Sequence, residues 1–146
     1  MMTKIISILI PLLVSCSVVN QKAHPSIRRE CIDLLSVRII VDIPIPIYFN
    51  KENYEEGIIY TYVFNDGVVF FHEGALMQFD IDTYPPFESV HTKKYSMYWG
   101  EEHGKLWKKY VFGNIRLYYY NVEKKAKKKY DEILKKVRIQ KRYSNR

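Results

Sequence analysis

Apolar and polar residues alternate with a period of two over much of the middle of the chain. The clearest example is GIIYTYVF, which is followed by Asn65-Asp66-Gly67 and then by VVFFHE. Strong strand formers on both sides of residues that tolerate a positive φ predict a β-hairpin. Further along, YSMYW, KLWKKYVF and IRLYYY are separated by the turn sequences GEEHG and GN. This spacing predicts three consecutive antiparallel strands.

Two other stretches predict strands in less regular surroundings. VRIIVDIPIPIYF is rich in β-branched and aromatic residues, but Pro44 and Pro46 have no amide donor. We therefore expect this strand to lie at a sheet edge or to leave the sheet at the prolines. In MQFDID, Met77, Phe79 and Ile81 alternate with polar residues, which predicts a half-buried strand with one solvated face.

Helical spacing occurs near both ends of the chain. IRRECIDLL places Ile27, Cys31, Leu34 and Leu35 on one side of a short predicted helix, with Ser26 as a candidate cap. The stronger prediction is a helix over residues 122–137, because its apolar residues fall within one stripe about 120° wide. The residues of that stripe are Val122, Ala126, Tyr130, Ile133, Leu134 and Val137.

The second predicted helix also has suitable ends. Asn121 is placed to cap its first turn, Glu123 sits favourably in that turn, and basic residues gather at its end. Together, these elements predict one α+β domain over residues 27–146. We expect an antiparallel sheet of about six or seven strands, with the C-terminal amphipathic helix packed on one face.

The longest apolar run of the chain lies at its start. Ile5–Val14 is ten residues long, about half of what a helix needs to cross a bilayer. A basic residue, a short apolar stretch and then small residues are instead typical of a secretory signal peptide. We therefore expect residues 1–15 to be removed from the mature protein.

The end of this run has a more specific pattern. Leu13-Val14-Ser15-Cys16 resembles the lipobox of bacterial lipoproteins, in which a peptidase cuts just before a lipid-modified cysteine. The resemblance covers residues 1–16 only. It implies that Cys16 carries a diacylglyceryl group and an acyl chain, which supply the two hydrophobic signals that lasting attachment needs. An ordinary signal peptide with a chance cysteine is the alternative, and no cofactor beyond the lipid is expected.

Residues after the lipobox suggest where the protein is attached. The residue after Cys16 is Ser17 and not an acidic residue. In proteobacterial lipoproteins, which this stretch resembles, the absence of an acidic residue at this position implies transfer of the protein to the outer membrane, where it would face the periplasm. Residues 16–26 have little periodicity and read as a lipidated flexible tether. Cys31 is left without a pairing partner, and we expect it to be buried as a small apolar residue; an intermolecular bridge is the alternative.

Positive charge is concentrated at the C-terminal end. The chain has a net charge of +7, while residues 121–146 contain 11 Lys or Arg against 3 Asp or Glu. This surplus makes Lys124, Lys125, Lys128 and Lys129 candidate contacts for anionic lipid head groups. Pairs at i,i+4 such as Lys127 with Asp131 favour the alternative of a solvated helix face. Nucleic acid is not expected as a partner in this compartment.

The aromatic residues of the strands offer a second candidate surface. Alternating rings share strand faces and could fill the core or form a platform for sugar rings or a protein partner. Core packing is the favoured interpretation, since the aliphatic residues alone are too few for such a sheet. The residues concerned are Tyr60, Tyr62, Tyr95, Trp99, Tyr118 and Tyr120.

Catalytic motifs are not found in the sequence. His72-Glu73 begins like a zinc-protease motif, but HEGAL has no second histidine. His91 and His103 lie in turn-like surroundings, so we predict neither a catalytic residue nor a metal site. The functional hypothesis is a non-enzymatic envelope lipoprotein that docks an envelope protein or cell-wall partner. The alternative is a saccharide-binding module that uses an aromatic sheet face.

Overall fold

The computed structural model describes residues 26–75 and 79–143. The predicted signal peptide, the lipobox with Cys16, nearly all of the tether, and Met77 lie outside these residues. The described residues form ten strands, helix α1 over Lys127–Lys135, and two 3₁₀ turns over Asp80–Thr83 and Lys124–Ala126. The strands are β1 Ile27–Asp33, β2 Val37–Pro44, β3 Tyr48–Tyr54, β4 Gly57–Phe64, β5 Gly67–Gly74, β6 Glu88–His91, β7 Ser96–Glu102, β8 Lys105–Phe112, β9 Ile115–Val122 and β10 Arg138–Lys141.

The strands form two antiparallel sheets. The larger has the order β3-β4-β5-β9-β8-β7-β6, and the smaller has the order β1-β2-β10. The predicted class is confirmed in its broad form, as a mainly antiparallel β structure with one short C-terminal helix. The expected strand count fits the larger sheet, but the prediction of a single sheet is wrong.

Both predictions of consecutive strands are confirmed. β4 and β5 form the expected hairpin, in which Phe64 pairs with Gly67. A Cβ at residue 67 would lie 2.6 Å from Cγ2 of Val122 and 2.7 Å from Cζ of Tyr130, so a glycine is needed at this close approach. β7, β8 and β9 are the three predicted strands in series. The prediction for the proline-containing strand also holds, because β2 ends at Pro44.

The core has two parts, one on each face of the larger sheet. The larger part combines residues of both sheets with those of helix α1, including Ile39, Phe71 and Tyr130. The smaller part lies on the opposite face, since successive residues of a strand point to opposite sides. It consists of Ile59, Phe70, Ile81, Trp107 and Tyr118.

The predicted helix near the start of the domain is wrong, because residues 27–33 form strand β1. β1 pairs with β2 from Ile27 opposite Pro44 to Asp33 opposite Arg38. This pairing satisfies the backbone and outweighs the helical spacing of the apolar residues. The expectation of a buried thiol is also wrong. Ile32 is buried at the inner face of β1, so its neighbour Cys31 points outward and is exposed.

The exposed thiol of Cys31 leads to a simple prediction. In the folded protein we expect Cys31 to react with a disulfide reagent as readily as an unhindered thiol, without denaturant. Reaction is followed by absorbance, and a Cys31→Ala variant corrects for any signal from Cys16. The same variant should change the free energy of unfolding by less than about 0.5 kcal/mol. A thiol that reacts only after denaturant is added would contradict this placement.

The C-terminal helix is shorter than predicted. Strand β9 continues to Val122 and a 3₁₀ turn follows, so helix α1 begins at Lys127 and not near Asn121. Asn121 adopts a φ of 52° and does not cap the helix. The apolar stripe is nevertheless turned inward: Val122, Ala126, Tyr130, Ile133 and Leu134 are buried, and Val137 is half-buried.

The predicted strand MQFDID is also wrong in its described part. Residues 80–83 form a 3₁₀ turn, in which the amide of Asp82 donates to the carbonyl of Phe79 at 2.9 Å. The Asp82 carboxylate accepts a hydrogen bond from the amide of Phe79 at 3.0 Å. This local side-chain contact replaces a strand ladder and places Ile81 in the smaller core.

Two carboxylates connect helix α1 to the larger sheet. Asp66, in the β4–β5 turn, accepts hydrogen bonds from Tyr130 Oη at 2.7 Å and from Lys129 Nζ. Asp131 accepts one from Tyr119 Oη at 2.9 Å and pairs with Lys108. Burial would raise the pKa of each carboxyl, but their hydrogen-bonded lysines and tyrosines outweigh it and hold both pKa values below the ordinary value.

Candidate functional site

The six aromatic residues that the sequence groups as a candidate surface lie on two faces of the larger sheet. Tyr60 and Tyr62 are buried in the larger core, and Tyr118 is buried in the smaller core on the opposite face. Half-buried Tyr120 packs against the smaller core. The buried rings of Tyr60, Tyr62 and Tyr118 therefore fill the interior, as the favoured interpretation expected.

The remaining two rings of that set lie near one end of the larger sheet. Half-buried Tyr95 precedes β7, and its ring contacts those of Tyr110 and Phe112 at centroid distances of 5.7 and 5.4 Å. Half-buried Trp99 lies in β7, opposite Lys108 of β8. The set therefore does not form one continuous aromatic platform.

The lysines proposed as lipid contacts are mostly engaged with carboxylates. Lys124 Nζ lies 2.9 Å from Glu101, and Lys125 Nζ lies 3.2 Å from Glu123. Half-buried Lys129 bonds both oxygens of the Asp66 carboxylate. Lys128 is exposed, and among the described residues it has no ion-pair partner. Contact with anionic head groups stays a prediction, and Lys128 is the member of the set best placed for it.

A polar cluster lies beneath the 3₁₀ turn on the side of the smaller core. The Asp82 carboxylate accepts hydrogen bonds from Lys109 Nζ at 2.8 Å and from Tyr118 Oη at 2.9 Å, and Arg116 Nη1 lies 3.6 Å away. Burial favours the neutral acid, but Lys109 and the Phe79 amide outweigh it and lower the pKa of Asp82. Asp82 is therefore a charged anchor for the 3₁₀ turn.

His72 lies beside this cluster and is fully buried. Its Nε2 is 2.5 Å from Tyr54 Oη, and the two rings stack at a centroid distance of 5.9 Å. Its Nδ1 has no partner among the described residues. Burial and the nearby Arg116 guanidinium lower the pKa of His72 to about 4. The imidazole is therefore neutral at pH 7 and has no access to solvent, which is typical of a structural histidine.

The described histidines and acids contact separate partners. His91 Nδ1 lies 3.0 Å from Ser96 Oγ, and His103 Nε2 lies 3.2 Å from Glu102. Glu73 is buried, and its carboxylate accepts hydrogen bonds from the amide and hydroxyl of Ser36 in the β1–β2 turn. Within residues 26–75 and 79–143, no group of three potential metal ligands occurs.

A pocket of about 320 Å³ opens at one end of β8 and β9, and we name it the Trp107 pocket. Its aromatic residues are Tyr84, Trp107 and Tyr120. Its polar residues are Glu102, His103, Lys105 and Asn121. Trp107 is 2% exposed and forms the floor, and its indole lies close to Gly100 of β7. A Cβ at residue 100 would lie 3.0 Å from the indole, so the glycine makes room for it.

The two edge strands of the larger sheet differ in character. β3 starts in an apolar segment in which Ile45, Ile47, Tyr48 and Phe49 are between 46% and 66% exposed; we name residues 45–49 the apolar edge. At the opposite edge, β6 has four residues and includes Glu88 and His91. Short, charged strands are how proteins usually protect a free edge, and the apolar edge lacks that protection.

The pocket and the apolar edge are absent from the sequence-based candidates, apart from Tyr120. Tyr84 and Trp107 stand 23 residues apart in the sequence and meet only in the folded chain. Gly100 was assigned to the turn sequence GEEHG, whereas in the structure it lies inside β7 and makes room for the Trp107 indole. The apolar edge begins directly after Pro44 and contains Pro46, and these prolines already indicated that the strand lies at a sheet edge or leaves the sheet there.

Comparison of the chain with protein-family models, with curated proteins and with solved structures found no match. In the part of the chain that the structure describes, no helix combines the length and apolar composition needed to span a membrane.

Proposed function

We propose that the chain is a membrane-anchored lipoprotein of the cell envelope whose domain docks a protein partner through the apolar edge. The observation that carries the docking proposal is the exposure of Ile47, just before β3, and of Tyr48, its first residue, which are 66% and 58% exposed. Exposed apolar side chains beside a free strand edge favour an extended segment of a partner protein, which adds to the sheet as a further strand.

The composition of β3 supports this mode of docking. Among the described residues β3 pairs with β4 only, so its other side presents backbone donors and acceptors. Phe49 packs against Tyr62 at a centroid distance of 4.9 Å and so holds the strand firmly on the sheet. Lys51 and Glu52 balance each other's charge further along β3. The edge is therefore rigid, apolar at its start and neutral, which suits a mostly apolar partner segment.

The proposal also includes a helix packed on one face of the larger sheet. Its support is the shared core of Tyr130, Ile133 and Leu134 with sheet residues, and the hydrogen bond from Tyr119 to Asp131. Such a helix stiffens the sheet at a distance from the apolar edge, because β9 is separated from β3 by β4 and β5.

Docking is tested in cells with a photo-crosslinking amino acid at residue 48. We expect a crosslinked adduct of one discrete mass, with a protein that mass spectrometry identifies. Ile47→Lys should abolish this adduct, since a charge in the contact must be desolvated. Residue 87 is the matched control position, because Phe87 is 67% exposed and borders the opposite edge strand β6.

Three outcomes would contradict docking at the apolar edge. They are no adduct at residue 48, the same adducts at residues 48 and 87, or an adduct that is insensitive to Ile47→Lys. Thermal unfolding of Ile47→Lys should be close to that of wild type, because substitutions of exposed residues change stability by about 0.5 kcal/mol or less.

The lipid anchor is tested by growing cells with labelled palmitate. We expect label in the wild-type protein and none in Cys16→Ser, because a hydroxyl cannot form the thioether that the lipobox resemblance implies. Cys31→Ser is the matched control and should keep the label. Absence of label from the wild type, or a Cys16→Ser variant that stays equally firmly in the membrane pellet, would refute the anchor.

A further inference from the structure

The Trp107 pocket combines aromatic walls with a floor that is held in place. The rings of Tyr84 and Trp107 have a centroid distance of 6.2 Å and an interplanar angle of 56°. Tyr84 and Tyr120 are half-buried, so each keeps part of its ring open to the pocket. Faces of aromatic rings suit ligands that present C–H groups on one side, as sugar rings do.

The polar residues of the pocket offer hydrogen bonds without a surplus of charge. Glu102 is an acceptor and pairs with His103 at 3.2 Å, while Lys105 lies 4.0 Å from Glu123. Asn121 offers both a donor and an acceptor. The negative charge of Glu102 and the positive charge of Lys105 offset each other in this lining, so a strongly anionic or cationic ligand gains no net attraction, and both side chains can exchange hydrogen bonds with neutral hydroxyl groups.

Two further features mark this region as more than a surface depression. Asn121 lines the pocket with a φ of 52°, a conformation in which side chains other than glycine are uncommon and which often occurs at functional sites. A second cavity of about 190 Å³ shares Tyr84 and Tyr120 with the pocket and is also lined by Phe79, Asp80 and Ile81. The first cavity reaches the lower end of the size range of small-ligand sites.

We infer that the Trp107 pocket binds a neutral saccharide, with one sugar ring against Tyr84 and Tyr120 and its hydroxyl groups bonded to Glu102 and Asn121. The second cavity provides room for a substituent on that ring. This site is separate from the apolar edge, because β7, β8 and β9 lie on the far side of β4 and β5 from β3. It requires neither the lipid anchor nor the docked partner, so its test is independent of both.

The test uses the full-length chain in a zwitterionic detergent without a sugar head group. Indole N–H signals are recorded by NMR with ¹⁵N-labelled tryptophan, and Trp99→Phe assigns the two signals. Neutral and N-acetylated monosaccharides are added up to about 50 mM, since a Kd on the order of 1 mM is expected for a single ring. We expect the Trp107 signal to shift saturably.

Variants separate this site from unspecific binding. Tyr84→Ala should raise the Kd about tenfold, through loss of one stacking wall, and Glu102→Gln should raise it less. Phe87→Ala is the matched control, because Phe87 is an exposed aromatic residue of the same segment outside the pocket, and its Kd should equal that of wild type.

Several results would overturn the inference. One is a Trp107 signal that no neutral sugar shifts over this range. Others are a saturable shift produced only by inorganic phosphate or acidic sugars, and a Kd that neither Tyr84→Ala nor Glu102→Gln changes. A change of Kd in Phe87→Ala equal to that in Tyr84→Ala would also place the ligand outside the pocket.

Discussion

Replacement of Asp82 by asparagine is expected to lower the free energy of unfolding by about 3 kcal/mol. The carboxylate is the shared acceptor for Lys109 and Tyr118, and Arg116 lies within 3.6 Å of it. An amide removes the negative charge and leaves a mostly buried ammonium group without a counter-charge. The side chains of Asp82 and Lys109 are only 14% and 16% exposed, so water compensates little.

Chemical denaturation with urea measures this loss. Glu132→Gln is the matched control, because Glu132 forms an ion pair with Lys136 in which the side chains are 44% and 66% exposed. Such a pair contributes about 0.5 kcal/mol or less, so the control should unfold close to wild type. Equal unfolding midpoints for Asp82→Asn and wild type would contradict the role given to the Asp82 cluster.

Acidification from pH 7 to pH 4 should destabilise the protein by up to about 3 kcal/mol through His72 alone. The folded pKa of His72 is about 4, below its ordinary value of 6.5. Between these values the unfolded chain binds the proton and the folded chain does not. The contribution is therefore complete above pH 6.5, decreases as the pH falls, and stops decreasing below the folded pKa.

The groups around His72 set this direction. Burial opposes the imidazolium most, the positive charge of Arg116 adds to that effect, and Asp82 and Glu73 only partly oppose it. Carboxyl groups with lowered pKa values, such as that of Asp82, also stabilise the folded protein. Their contribution is lost mainly below pH 3.8, the ordinary pKa of the group, because the unfolded chain then binds the proton more readily than the folded chain. The change in stability between pH 6.5 and pH 4 therefore measures mainly the contribution of His72.

The experiment compares urea unfolding at several pH values across that interval. His72→Gln should flatten the dependence, because glutamine offers a hydrogen bond to Tyr54 but takes up no proton. His91→Gln is the matched control, since His91 is exposed, and it should keep the wild-type slope. An unchanged slope in His72→Gln would show that another group is responsible.

Much of the larger sheet could be predicted from local signals. The β4–β5 hairpin has alternating side chains on both sides of the turn-forming residues Asn65-Asp66-Gly67, and these signals lie within about 18 neighbouring residues. Strand β1 was missed because its partner decides its conformation: Ile27 to Asp33 pair with Pro44 to Arg38 of β2. The predicted C-terminal helix began too early because Val122 fits both patterns. It is the last inward-facing residue of strand β9, and it also falls in the apolar stripe of the predicted helix.

The candidate sites were less accessible to prediction than the fold. Burial of Tyr62 and exposure of Tyr48 cannot be distinguished from their local sequence, because both stand among strand-forming residues. The Trp107 pocket needs the segment that contains Tyr84 to fold back over β8. The pairing of Gly100 with Trp107, which leaves room for the indole, is visible only in the folded sheet, because the sequence pattern assigned Gly100 to a turn.

The position of β2 between β1 and β10 affects the order of assembly. β1 and β2 are close in sequence, but Ile39 must also pair with Ile139, about a hundred residues later. Closing so long a loop is entropically unfavourable and slows the final step of folding. The nascent polypeptide therefore cannot complete its smaller sheet until almost all of it has been synthesised, and until then one edge of β2 lacks its partner strand.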